Sequence, residues 1–526
     1  MTNRKLYKHG ILLVVSGLFI LSLASAQQNI AIAKNEHWWM GIISHGSIQP
    51  LKSGYKADLN GNLYGNQAQP LLLSDQGRII WSEDPFAAEV RNDSIFLTTS
   101  SGECIVKKVA DNLRGAFLYA SQNYFPPAGA LPAKIMFQNP QYNTWIELLH
   151  NQNQQDVLNY ASKIIKTGLP PGVIMIDDNW QEDYGKWDFH PGRFTDPKAM
   201  MDSLHHMGFR VMLWICPFIS ADSENGRMLE TKKAVLRTTS GETKMIHWWN
   251  GYSSVLDLTN PYAKEWLINQ LHYLQNEYGI DGFKFDAGDP EYYVDGLATV
   301  NITPNRQTEL FSEIGRAFPL NEYRATWKMG GQPLAQRLRD KSHSWKDLQS
   351  LIPDILLQGI MGYPFTCPDM IGGGEMGSFV NLDKVDQELI VRSAQCHVFM
   401  PMMQFSVAPW RVLDSLHFNA VKQAIAIRMQ YSDLILELAE KAAKSGEPVV
   451  RSMEYVFPHC GYAEVSDQFL LGDRLLVAPF VTKSDYREVA IPPGKWVDDK
   501  GKIINGPCLI KEVSELDRIP HYKKLK

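Results

Sequence analysis

Between roughly residues 133 and 440 the sequence repeats one device: an amphipathic helix, a glycine or proline stop, and a short apolar run that ends on a polar side chain. A helix from about Asp156 to Lys166 sets Val157, Ala161, Ile164 and Ile165 on one stripe. Gly168-Leu169-Pro170-Pro171 stops it, and the strand Val173-Ile174-Met175-Ile176 delivers Asp177 at its end. Asp196-Pro197 opens the next helix with a cap and a proline at the first helical position, Gly208 closes it, and Phe209 to Trp214 follows as a strand. Asn260-Pro261 caps a third helix, Gly279 ends it, and Gly282 to Ala287 is the strand after it. Further strands are expected near Thr144 to Glu147, Tyr323 to Trp327, Arg337 to Asp340, Gly359 to Tyr363 and Cys396 to Met402. About eight strands over some 300 residues is the size of a (β/α)8 TIM barrel. A doubly wound open sheet is the competing arrangement, but no G-x-G-x-x-G or phosphate-loop glycine pattern follows a strand.

The flanks have a different texture. Residues 27–132 run as short alternating segments such as Ser94 to Thr99, broken by Gly, Asn, Asp and Pro, and predict an N-terminal β-sandwich that ends in the linker Pro126 to Pro132. After the barrel (133–440), which finishes in a helix near Val421 to Ser445, residues 441–526 return to β texture. Strands are expected there over Phe469 to Phe480, Tyr486 to Ile491 and Lys495 to Val497. Residues 1–26 read as a signal peptide: Arg4, Lys5 and Lys8 precede an apolar run from Ile11 to Leu23, and Ala24-Ser25-Ala26 is a cleavage site. Export with a cut after Ala26 is predicted, hence a periplasmic or secreted chain that leaves the membrane once cleaved.

Composition narrows the partners. A net charge of −5 gives neither the basic footprint of a nucleic-acid binder nor a polybasic membrane anchor. Fourteen Trp, 21 Tyr and 22 Phe supply flat apolar faces of the kind on which sugar rings stack. Cys104, Cys216, Cys367, Cys396, Cys460 and Cys508 are scattered without metal-ligand spacing, so no metal and no cofactor is expected, and their pairing is left open.

Barrels of this kind place their chemistry at the C-terminal ends of the strands. In Phe283-Lys284-Phe285-Asp286-Ala287, alternation turns Lys284 and Asp286 inward, side by side at the barrel mouth, where the Lys would keep Asp286 ionised. Hydrolysis of a glycosidic bond with retention needs one such ionised carboxylate to attack the anomeric carbon and a second, protonated one to release the leaving oxygen. Asp177, Asp178, Asp340 and Asp369 all stand near strand ends, and position alone does not rank them.

Ordered along the chain are Ile176-Asp177-Asp178-Asn179-Trp180, Leu213-Trp214-Ile215-Cys216-Pro217, Trp248-Trp249-Asn250-Gly251 and Gly282 to Asp289. Arg337-Leu338-Arg339-Asp340-Lys341 with Trp345, Pro368-Asp369-Met370-Ile371-Gly372-Gly373, and Gly472-Asp473-Arg474-Leu475-Leu476-Val477-Ala478-Pro479 complete the series. This set resembles glycoside hydrolase family 31. The resemblance implies a retaining, exo-acting α-glycoside hydrolase with Asp286 as nucleophile and Asp340, five residues before Trp345, as general acid/base. It also implies sugar-binding roles for Asp177, Trp214, Trp249, Lys284 and Asp369; Asp178 beside Asp177 and Arg337, as a guanidinium fork toward the sugar, join them as candidates. Pro368 stands where α-glucosidases and α-xylosidases of the family have His, and Arg337 where they have Trp. With Lys-Phe-Asp-Ala-Gly, these departures resemble the branch that contains the myogenesis-regulating glycosidase, for which an α-galactoside substrate is implied. The alternatives are α-glucosidase or α-xylosidase activity, and a catalytically silent sugar-binding protein.

Overall fold

The computed structural model describes residues 26–100 and 102–525; the leader expected before Ala26 lies outside them. Eight parallel strands form the central barrel: Gln141–Asn143, Val173–Ile176, Arg210–Ile215, Gly282–Phe285, Leu320–Tyr323, Gln336–Arg337, Thr366–Cys367 and Gln404–Phe405. Gln404 pairs with Gln141 on one side and bridges Met370 on the other, which closes the sheet and rules out the open doubly wound alternative. The anticipated caps form: Asp196 accepts from the Ala199 N–H, Asn260 from the Tyr262 N–H, and Gly279 ends its helix at φ +79°.

Several expected strands are displaced, each for a local reason. Thr144 to Glu147 is not strand: Asn143 accepts from the Trp145 N–H, and the chain turns into the short helix Trp145–Leu148. The fifth strand ends at Tyr323, and 324–327 leaves the barrel to bridge the N-terminal domain, Trp327 pairing with Ala68. Only Arg337 of Arg337 to Asp340 is in the ladder. Gly359 to Tyr363 is the end of the helix Trp345–Ile360 with the turn after it, and Cys396 to Met402 begins in the helix Gln387–His397. Both helices are buried on nearly every face, so their apolar runs mimic strands. In the helix Gln154–Lys166 the buried stripe is Val157, Tyr160, Ala161 and Ile164, with Ile165 turned outward.

Ahead of the barrel, two four-stranded antiparallel sheets share one core, in which Ile30, Val90 and Leu97 of one sheet meet Trp38, Met40 and Leu72 of the other. Residues 27–132 are not β throughout: the helix Leu113–Tyr124, capped by Asn112, follows the last strand. A six-stranded antiparallel sheet from Val450 to Lys524 has its own core around Leu476, Val489 and Trp496. The expected strand Phe469 to Phe480 is a hairpin, Phe469–Leu471 and Leu475–Val477, while Tyr486 and Lys495 belong to one long strand, Tyr486–Asp498.

Arg428, on the long helix Ser415–Ser445, ties the base of the barrel together. Its guanidinium donates to the carbonyls of Val398, Met400, Pro401 and Phe137, and the side chain has no exposure. Arg428→Met removes every one of these bonds and leaves buried carbonyls unpaired, at a cost of at least about 3 kcal/mol. The expected result is a thermal midpoint lowered by several degrees, read by differential scanning calorimetry.

Candidate active site

A cavity of about 310 Å³ opens at the C-terminal end of the barrel, at the small end of the roughly 300–1,000 Å³ of ligand pockets. Its wall includes Asp286, Asp340, Asp177, Asp178, Trp214, Trp249 and Lys284, so seven of the nine residues expected from sequence meet there.

Strand pairing sets the inner layer. Trp214, Lys284 and Glu322 share one register across the third, fourth and fifth strands, and alternation then turns inward the residues two positions on, Asp286 and Arg324. Lys284 does not serve Asp286 as its direct partner. Its Nζ lies 2.6 Å from Oδ2 of Asp177, both side chains being buried. Asp286 is gripped instead by Arg324, whose Nε donates to Oδ1 at 2.8 Å, while the Trp214 indole N–H donates to Oδ2 at 3.1 Å. The Ala287 N–H adds a bond at 2.8 Å from a backbone turned to φ +55°. Burial by itself would raise the Asp286 carboxyl, but the charges of Arg324, Lys284 and Arg337 outweigh it and hold the group well below the usual carboxylate range. Asp289 receives the other end of Arg324, Nη1 at 3.0 Å and Nη2 at 2.5 Å.

Asp340 has a different setting. It reaches the cavity from the loop after the sixth strand with its side chain 44% exposed, and Oδ1 accepts from Nη1 of Arg337 at 2.6 Å. Arg337 and Asp369, each 1% exposed, stand behind Asp340 and off the cavity wall. Arg337 was expected to reach the sugar; the structure sets it off the cavity wall instead. Nη1 serves Asp340, Asp369 and the Leu338 carbonyl, and Nε faces Glu322 at 3.3 Å. Burial and the Asp340 charge push Asp369 above the usual carboxylate range, against the pull of Arg337. Gly374 gives these carboxylates room: a Cβ there would lie 3.0 Å from Asp340 Oδ1 and 3.1 Å from Asp369 Oδ1.

Asp178 accepts from the Tyr184 hydroxyl at 3.0 Å and from the Asn250 amide, and burial with the adjacent Asp177 charge pushes it up to about 7. Trp249, half exposed, stands at the rim with Arg324 over its ring. Trp180 and Trp187 are buried packing residues, and His343 bridges the Gly372 carbonyl and the Asp386 N–H away from the cavity wall.

Sequence reasoning missed Arg324, Asn250, Trp145 and Glu375, all on the wall. Arg324 was within reach: it stands two residues beyond Glu322 on a strand end, and displacing the strand to Tyr323–Trp327 hid that spacing. Trp145 opens the four-residue helix Trp145–Leu148 and Glu375 comes from a loop, both too short for a period to show. Among the described residues no group of three or more His, Cys, Asp or Glu is arranged to hold a metal ion.

A barrel flanked by β domains, with two unlike aspartates facing one sugar-sized cavity, defines the class, and comparison with known proteins gives the family. Residues 130–438 match the glycosyl hydrolases family 31 TIM-barrel domain and residues 446–524 the glycosyl hydrolase family 31 C-terminal domain, so the chain belongs to glycosyl hydrolase family 31. It is 32% identical over 431 residues to the myogenesis-regulating glycosidase of Mus musculus, covering 79% of this chain and 60% of that protein. To an alpha-glucosidase of Saccharolobus solfataricus it is 25% identical over 413 residues, covering 69% and 59%. The chain thus spans about 60% of the length of these relatives. A Flavobacterium johnsoniae GH31 dextranase complexed with glucose superposes with a TM-score of 0.85 at 19% identity, over 95% of this chain and 66% of that one, which shows the shared fold.

Arg324→Gln removes the largest influence that keeps Asp286 ionised and leaves its burial in place. The depressed pKa therefore rises, and the acid limb of the pH–turnover profile moves to higher pH than in the wild type, checked by steady-state rates from pH 3 to 8.

Proposed function

We propose that the chain is a retaining α-glycoside hydrolase acting on a terminal sugar, with Asp286 as nucleophile and Asp340 as general acid/base. The observation that carries this reading is the pairing of opposites across one cavity: a buried carboxylate held ionised by Arg324 and Trp214, and a half-exposed carboxyl on a loop at the mouth. In the first step Asp340 gives its proton to the glycosidic oxygen while an Asp286 oxygen bonds to the anomeric carbon, which releases the aglycone and leaves a glycosyl ester. In the second, Asp340 takes a proton from water, whose oxygen displaces Asp286 and restores the α configuration. Arg324 and Trp214 stabilise the carboxylate as it leaves. Asp177, Asp178 and Lys284 present acceptors and a donor to the sugar hydroxyls from the buried wall.

The sugar we infer is α-galactose. The resemblance to the galactoside-acting branch supports it, as does the absence of a flat indole at position 337, where a buried guanidinium pairs with Asp340 and Asp369 instead. A polar wall of two carboxylates and an ammonium suits an axial hydroxyl at C4. Export belongs to the same proposal, with Gln27 expected as the N-terminal residue of the mature chain.

Asp286→Asn is expected to lower turnover at least about 10³-fold while sugar binding persists; undiminished turnover would remove Asp286 from the nucleophile role. On a panel of 4-nitrophenyl α-glycosides, the galactoside is expected to give the highest kcat/KM. Cleavage of the glucoside or xyloside alone would transfer the assignment to those sugars, and an inactive wild type would point to a sugar-binding protein.

A further inference from the structure

The two arginines that hold the catalytic carboxylates stand at the ends of the fifth and sixth barrel strands, and these neighbours are joined by a single ladder pair, Tyr323 with Gln336. Beyond that pair the chain leaves the barrel on an excursion from 324 to 335. The Arg324 and Arg337 carbonyls lie beyond that last rung and need another partner. The N-terminal domain provides it. Asn66 Nδ2 donates to the Arg324 carbonyl at 2.9 Å and to the Arg337 carbonyl at 3.1 Å, and Gln67 Nε2 donates to the same two carbonyls at 2.6 and 2.7 Å. Both side chains are fully buried.

The neighbouring contacts act on the same two arms. Gly65 accepts from Arg324 Nη1 at 2.9 Å, so the guanidinium that grips Asp286 is itself gripped by the N-terminal domain. Asn66 Oδ1 accepts from the Arg339 N–H at 3.2 Å, one residue before Asp340. Gln358 Nε2 fixes the Gln67 amide through Oε1 at 2.8 Å, which orients its donors at the two carbonyls. Ala68 continues the docking as a strand-like bridge, its N–H donating to the Thr326 carbonyl at 3.0 Å.

We propose that the segment Gly65-Asn66-Gln67 is a positioning element of the active site: its two amides replace the missing rungs between strands five and six. They thereby set the distance between the Arg324–Asp286 arm and the Arg337–Asp340 arm. None of the three residues is on the cavity wall. The inference rests on the roles proposed above for Asp286 and Asp340. A pair of carboxyl groups that must act on opposite sides of one carbon tolerates little drift, since a displacement of about 1 Å costs up to about 10²-fold in rate.

The test uses the full chain with Gln67→Met, which keeps the side-chain length and removes both donors. Turnover is measured on the preferred α-glycosyl fluoride, whose leaving group needs no proton, and on the phenyl α-glycoside, which needs one from Asp340. The expected result is KM within about two-fold of wild type for both substrates, with kcat for the phenyl glycoside falling about ten-fold more than for the fluoride. A merely structural role lowers the active fraction and reduces both rates alike. Equal losses, or none with the thermal midpoint preserved, would overturn the proposal. Should Gln67→Met fail to fold, Asn66→Ala carries the same two-substrate readout. A wild type that cleaves neither substrate sinks the reading of the site itself; an active wild type with an unchanged ratio in the variants sinks only the positioning role.

Discussion

A carboxylate taken out of water is unstable unless charge and hydrogen bonds compensate it, and in this protein the compensation of Asp286 comes from Arg324. Arg324 is buried too, and its own charge is balanced by Asp286 on one side and Asp289 on the other. Around this core the remaining charges fall into pairs: Lys284 with Asp177, and Arg337 shared among Glu322, Asp340 and Asp369. Each of these cations is thus balanced by at least one carboxylate.

The division between Asp286 and Asp340 follows from where the chain places them. Asp286 continues a strand whose register with the third and fifth strands fixes its direction, and it inherits the rigidity of the sheet. Asp340 stands on a loop three residues past the end of a two-residue strand, so its direction depends on Arg337 and on the room left by Gly374. One group is built for constancy of charge. The other stands at the mouth, open to solvent.

The legible parts of the sequence were those governed by local rules. The second, third and fourth strands are four to six residues of apolar chain between capped helices, and they were placed to within two residues because period and punctuation agree. The first, sixth, seventh and eighth strands have two or three residues, too few for a period to show. The helices Trp345–Ile360 and Gln387–His397, buried all round, supplied more convincing apolar runs nearby. At the site, Lys284 was correctly turned inward and helps to keep Asp286 ionised, but its direct ion pair is with Asp177, 107 residues away, a pairing no local pattern encodes. Arg337 was expected at the sugar and stands behind Asp340 instead, a place set by Glu322 on the fifth strand and by Asp369 just past the seventh.

The bonds from Asn66 and Gln67 to Arg324 and Arg337 span some 260 to 270 residues of chain, and such distant contacts form late because loop closure must precede them. Such a contact is lost whenever the sandwich lifts from the barrel, so the ends of strands five and six are only as well ordered as the seat of one domain on the other.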